Sequence, residues 1–169
     1  MASMEDILKK FPMDEERQQR LYDLQTECAI CWETQDHWPV GVMHRYMWHD
    51  GKIWATCSGK RHRVGALRRN PKSCVIITGL GTELGPVDTT VTIKTTAVVH
   101  TDQETRDWFF PAMAKRLRPE SKEAQEELVK NFDTPNRVIL ELTPHKYITY
   151  DGRKLAAAMA ADQEKASTS

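Results

Sequence analysis

The residues best suited to chemistry lie in one run, WATCSGKRHRVGALRRNP, from Trp54 to Pro71. It gathers Lys60, Arg61, Arg63, Arg68 and Arg69, with His62, in a chain whose Lys plus Arg and Asp plus Glu both total 24. Like charges this close repel, and only full solvation or a bound anion offsets the cost. Composition alone favours a solvated turn and helix face. The local order supplies the alternative, a phosphate seat. A strand ends near Cys57, Ser58 offers a hydroxyl, Gly59 lets backbone approach a ligand, and a helix starts near Arg63. A helix N-terminus presents free N–H groups and partial positive charge, and an arginine can grip two phosphate oxygens together. The run is no known nucleotide motif. Gly59-Lys60 lacks the upstream glycine of a Walker loop, and Gly79, Gly81 and Gly85 miss the dinucleotide fingerprint by one place.

Other reactive residue types give weaker patterns. Cys28 and Cys31 form a Cys-x-x-Cys, but their setting, TECAICWET, reads as a strand, and Cys57 and Cys74 do not supply a second zinc pair. The cysteines read as small buried thiols in a reducing compartment. His44 and His49 are an odd number of residues apart in a strand, so they face opposite ways and share no metal. No Ser/His/Asp array is present. Trp48 and Trp54 are the tryptophans placed to stack on a planar ligand, although aromatics in strands mostly pack a core.

The elements around the basic run follow from periodicity. Residues 5–26 read as helix, interrupted at Pro12, with a longer segment from Met13. Alternation at Cys28, Ile30 and Trp32 marks a strand. Asp50-Gly51, between runs rich in Val, Met, Tyr, Trp and Ile, predicts a hairpin of about 40–49 and 52–57. A short helix from Arg63 to Asn70 is stopped by Pro71. SCVIITG is an apolar strand, LGTELGP a loop, and VDTTVTIKTTAVVH a long strand. Asp102 caps a helix to Leu117 that Pro111 is expected to kink or split. A helix from Pro119 to Phe132 turns Leu128 and Val129 inward. NRVILEL and KYITYD read as two strands separated by Thr143-Pro144-His145.

Strands follow strands through short turns, so the sheet is antiparallel rather than doubly wound. The fold class is mainly β with peripheral helices (α+β), a six- to seven-stranded antiparallel barrel. Balanced charge gives no general pull on nucleic acid. No apolar run approaches the ~20 residues of a membrane span, and the first residues lack the order of a secretory signal. These features point to the cytoplasm.

The hairpin, the basic turn and LRRNP, followed by an apolar strand, resemble the pyridoxamine 5'-phosphate oxidase-like split β-barrel superfamily, which includes flavin and deazaflavin oxidoreductases. Its segment reads T-x-x-G-R-x-K-x-x-N-L-R-R-D-P. Here Arg61 holds the basic turn position, Arg63 replaces Lys, Ala66 replaces Asn, and Leu67-Arg68-Arg69-Asn70-Pro71 closes the motif. TVTIKTTAVV and RVILELTPHKYITYD resemble later strands of the family. The resemblance covers about residues 25–151 and implies a split-barrel flavin-binding domain over 27–151; the residue pattern adds an N-terminal helical extension over 1–26 and a partly disordered C-terminal tail over 152–169. It also implies a homodimer with FMN, or alternatively the deazaflavin coenzyme F-420, at the subunit interface, acting on a small organic substrate by hydride transfer. Ser58, Lys60, Arg61 and Arg63 would take the phosphate. Arg45 would contact phosphate or ring, and Tyr46, Met47, Trp54, Ala55 and Thr56 would lie near the ring, alternation deciding which of them face it. A non-catalytic flavin- or haem-binding or sensing protein is the alternative, with His44 or His62 as the iron ligand to test.

Overall fold

The structure, a computed structural model, describes residues 11–85 and 89–167. In chain order the elements are α1 (Glu15–Leu24), β1 (Glu27–Glu33), β2 (Pro39–His49), β3 (Lys52–Ser58), α2 (His62–Arg69), β4 (Lys72–Thr78), β5 (Thr89–His100), α3 (Gln103–Leu117), α4 (Lys122–Phe132), β6 (Arg137–Asp151) and α5 (Gly152–Ser167). The six strands close a barrel in the order β1-β2-β3-β6-β5-β4, and every pairing is antiparallel. Closure gives every described strand a neighbour on each side, although β1 and β4 pair only through Ala29, Ile30 and Cys31. The expected barrel architecture and the expected strands before β6 are present; of the helix expected over 5–26, residues 5–10 lie outside the described residues and α1 covers Glu15–Leu24.

Asp50 and Gly51 adopt φ values of 50° and 72°. Both central residues of the β2–β3 turn are therefore left-handed, as a two-residue hairpin requires. Alternation along the strands then fills the barrel. Ile30, Tyr46, Ile53, Ala55, Val75, Ile77, Val91, Ile93 and Leu140 have no exposed surface. Val64 and Leu67 of α2 join this core, as do Leu21 and Tyr22 of α1. Each such side chain contributes roughly 1.5–3 kcal/mol by leaving water. A second cluster lies outside the barrel, where Phe109, Phe110 and Met113 of α3 cover Met47, Trp54 and Ile139.

Two sequence expectations are corrected. NRVILEL and KYITYD are one strand, β6, running through Pro144. Lys146 pairs with Lys94 and Pro144 with Thr95, so His145 is an extra residue in a bulge. A proline lacks the ladder N–H and is accommodated at such an irregularity without ending the strand. The helix over 103–117 is likewise continuous through Pro111. Phe109, Phe110, Met113 and Ala114, all buried on either side of that proline, hold its two halves against the barrel.

The segment before α1 is tied to the end of β6 beside the barrel. The Asp151 N–H donates to the Phe11 carbonyl at 3.1 Å, and the fully buried Asp151 carboxylate lies 3.3 Å from Arg17 Nε and 3.1 Å from Arg153 Nη2. Burial raises the Asp151 pKa, but hydrogen bonds from Arg153 and the Arg17 charge outweigh it and hold the carboxyl below its ordinary value. The stabilisation from this lowered pKa is thus fully present above the unfolded-state value, about pH 4, and is lost as pH falls through the folded value. Urea denaturation between neutral and acid pH should show this loss. Asp151→Asn should flatten that part of the profile and lower stability at neutral pH by about 3–5 kcal/mol, because Arg17 keeps its buried charge without a counterion.

Candidate functional site

Gly59 decides where the basic turn sits. A Cβ on Gly59 would lie 3.2 Å from both the Asn136 carbonyl oxygen and Val138 Cγ1, and the Gly59 N–H donates to that carbonyl at 2.6 Å. The close approach that sequence assigned to a ligand is thus made to the chain's own β6. Its consequence is that Ser58 pairs directly with Arg137, a residue that sequence reasoning passed over.

A cavity of about 250 Å³ opens at this corner, lined by Met43, His44, Arg45, Thr56, Cys57, Ser58, Arg61, Arg63, Phe132 and Arg137. Four guanidiniums line it, and no carboxylate does. Arg45 is partly neutralised by Glu27 at 3.2 Å and donates to Thr26 Oγ1 at 2.9 Å. Arg137 lies over the Phe132 ring, 4.7 Å from its centroid. Burial, together with the nearby Arg61 charge, pulls the Arg137 pKa below its ordinary value. The Arg61 side chain has no hydrogen-bond or carboxylate partner among the described residues. Arg61 is also the N-cap of α2, and no side chain caps that helix; the Val64 N–H donates to the Arg61 carbonyl at 2.9 Å, so an anion there would have only the His62 and Arg63 amides.

Arg63 is held by His44. Arg63 Nε donates to His44 Nε2 at 3.0 Å. Nε2 is therefore the acceptor, and the neutral ring carries its proton on Nδ1. Burial, then the Arg63 charge, pushes the His44 pKa down to about 4. A neutral His44 orients the Arg63 guanidinium without adding a competing positive charge. Cys57 is a bystander: burial raises its pKa despite the surrounding arginines, so the thiol stays protonated and unreactive.

The structure brings together Arg45, Thr56, Ser58, Arg61 and Arg63 of the sequence-derived set. Lys60 is exposed beside the turn and does not line the cavity. Tyr46 and Ala55 point into the barrel and are fully buried, so no surface ligand reaches their side chains. Met47 and Trp54 face outward but lie under α3. Trp54 donates to the His49 carbonyl at 3.1 Å and meets Trp108 edge-on at 4.7 Å. Trp48 stacks on Tyr22 at 4.2 Å. Both candidate stacking tryptophans therefore pack within the protein. Their alternation gave the face, but not that α1 and α3 would cover it. Phe132 and Arg137 enter the site through long-range pairing, for which the sequence carries no local signal.

The match to known proteins agrees with this geometry. Residues 13–151 match the family model for pyridoxamine 5'-phosphate oxidase. The chain belongs to that family. It matches no curated protein sequence. Among solved structures, it resembles the conserved hypothetical protein Rv2991 from Mycobacterium tuberculosis with a TM-score of 0.72 at 19% identity, over 86% of this chain and 89% of that one. An F420 reductase gives a TM-score of 0.58 at 13% identity, over 76% and 94%. HutZ, the haem storage protein from Vibrio cholerae, gives 0.61 at 11% identity, over 79% and 81%. At these identities the likeness is one of fold. No helix among the described residues is long and apolar enough to cross a membrane.

The lowered His44 pKa has a measurable sign. Between about 4 and the ordinary histidine value near 6.5 the unfolded chain binds the extra proton, so stability rises with pH across that window. An NMR titration of His44 should place its midpoint near 4, and His44→Gln should remove this part of the pH dependence. A midpoint at the ordinary value would show that Arg63 and burial do not act on the ring.

Proposed function

We propose that this member of the family is an oxidoreductase that uses FMN or the deazaflavin coenzyme F-420, binding the coenzyme's phosphate at the Arg61–Arg63–Arg137 corner. The observation that carries this reading is the convergence of those guanidiniums on one cavity with no carboxylate in its lining. Uncompensated charge of this kind costs free energy until an anion arrives, and phosphate suits paired guanidinium donors. Ser58, with its hydroxyl in the lining, adds a neutral donor. When bound, such a coenzyme supplies hydride exchange at its ring. The protein's part is to fix the anionic end, with His44 holding Arg63 at the required angle. The whole coenzyme, phosphate, linker and ring together, is larger than the 250 Å³ corner and needs a further surface, and a homodimer whose second copy completes the cleft would provide one.

The haem alternative is disfavoured by a specific contact. His44 Nε2 accepts from Arg63, and the neutral ring then carries its proton on Nδ1, leaving no free lone pair for iron. His62, at the start of α2, is exposed and is the remaining candidate of the two.

Titration with FMN, F-420 and haem, followed by absorbance and fluorescence, tests the assignment. One of the first two should bind, and reduction of the bound coenzyme followed by turnover of an organic acceptor would separate an enzyme from a sensor. Arg61→Ala and Arg137→Ala should each weaken coenzyme binding by about 1.5–3 kcal/mol, the range for hydrogen bonds to charged groups. Arg61→Ala should leave stability without coenzyme nearly unchanged, since an exposed cation contributes little. Arg63→Ala should lower both affinity and stability, because it also leaves buried His44 without its partner. Lys60→Ala should have little effect. Full coenzyme affinity in both the Arg61 and Arg137 variants would exclude this corner as the phosphate seat.

A further inference from the structure

The Cys28-x-x-Cys31 spacing does not make a dithiol in this fold. Cys28 is fully buried inside the barrel, whereas Cys31, an odd number of places along the same strand, faces outward. Cys31 instead stands directly opposite Cys74 in the antiparallel β1–β4 ladder. Opposed residues on antiparallel strands share a face, with Cα atoms about 4.5–5.5 Å apart. That separation falls within the ~4.4–6.8 Å range found between the Cα atoms of disulfides. Both thiols are free and half-buried, and both open onto a cavity of about 590 Å³ walled in part by Trp32, Pro39 and Lys94. This volume is typical of small-molecule sites. The Cys31 sulfur leans over Gly41 of β2, where a Cβ would lie 2.8 Å from Sγ, so bond closure requires Cys31 to rotate about χ1 toward β4.

We propose that Cys31 and Cys74 form a reversible redox-modification site that accepts low-molecular-weight disulfides. Cys74 is the attacking group. It pairs with Lys94 across the β4–β5 ladder, and that ammonium favours its thiolate, against the opposing effects of burial and of Cys31. The Cys74 thiolate attacks one sulfur of an incoming disulfide RSSR, forms a mixed disulfide and releases RS⁻, which takes up the proton that Cys74 lost. Cys31 then gives up its proton and displaces the second RS⁻ from Cys74, closing the Cys31–Cys74 bond. The protein dithiol loses two electrons and RSSR becomes two RSH. Added dithiol reverses both steps. Burial raises both thiols, so the reaction is slower than at an exposed cysteine. Cys28 and Cys57, buried elsewhere, take no part.

The test is to incubate the full chain with glutathione disulfide, alkylate remaining thiols in denaturant, and determine the intact and peptide masses. Two of the four cysteines should become unavailable, a Cys31–Cys74 peptide should appear, and dithiothreitol should restore both thiols. Cys31→Ser should stop at a stable mixed disulfide on Cys74, and Cys28→Ser should still close the bond. If Cys31→Ser does not fold, the wild-type chain and Cys28→Ser decide the matter, since both keep the pair. Four alkylatable thiols after treatment, a Cys28–Cys31 link, or a bond between two chains would overturn the proposal.

Discussion

Hydrogen bonding between β3 and β6 joins the middle of the sequence to its last strand, and both the barrel and the basic corner depend on that ladder. It closes the barrel, so that alternate residues of β3 must face either a sealed core or an outer surface. It also sets Ser58 against Arg137. Gly59 permits the contact, because any side chain there would press on Asn136 and Val138. A basic turn that would otherwise stand in solvent is thereby joined by a further, partly buried guanidinium. Local sequence supplies positive charge; the ladder concentrates it.

Three environments meet along β2 and β3, and they divide residues that look equivalent in sequence. Tyr46 and Ala55 belong to the barrel interior. Met47 and Trp54 belong to the layer between barrel and α3. Arg45 and Thr56 reach the cavity at the basic corner. Only the last pair lines the basic cavity. The second layer is held from the side by Arg116, which donates to the Tyr22 and Gln25 carbonyls at 2.6 and 2.7 Å. That arginine is therefore committed to structure, in contrast with Arg61.

The His44–Arg63 contact shows how a buried histidine can serve a charged site without chemistry of its own. Burial and an adjacent cation both favour the neutral ring. A neutral ring can accept from Arg63 on one nitrogen and donate from the other, which removes much of the guanidinium's freedom. The family relationship is consistent with a coenzyme at this corner, but the fold also carries a reductase and a haem storage protein among its relatives. The chemistry has to be argued from the site's own side chains.

The sequence by itself determined the local elements and the concentration of positive charge at one turn. Asp50-Gly51 fixed the hairpin because few other residue pairs tolerate two left-handed conformations in succession. Period-two patterning fixed which strand residues face inward, and the clustered arginines with Ser58 pointed to an anion. The family resemblance rested on that same stretch. Tertiary structure decided the remainder. It made one strand of 137–151 because β5 accommodates a bulge opposite Pro144, and one helix of 103–117 because barrel contacts on both sides outweigh a proline. It added Phe132 and Arg137 to the site, withdrew Tyr46, Met47, Trp54 and Ala55 from it, and paired Cys31 with Cys74 instead of Cys28. The physical reason is common to these cases. Periodicity and turn chemistry act over a few residues and are written locally, whereas the partner of a strand edge and the covering of an apolar face are settled only when distant segments compete for the same surface.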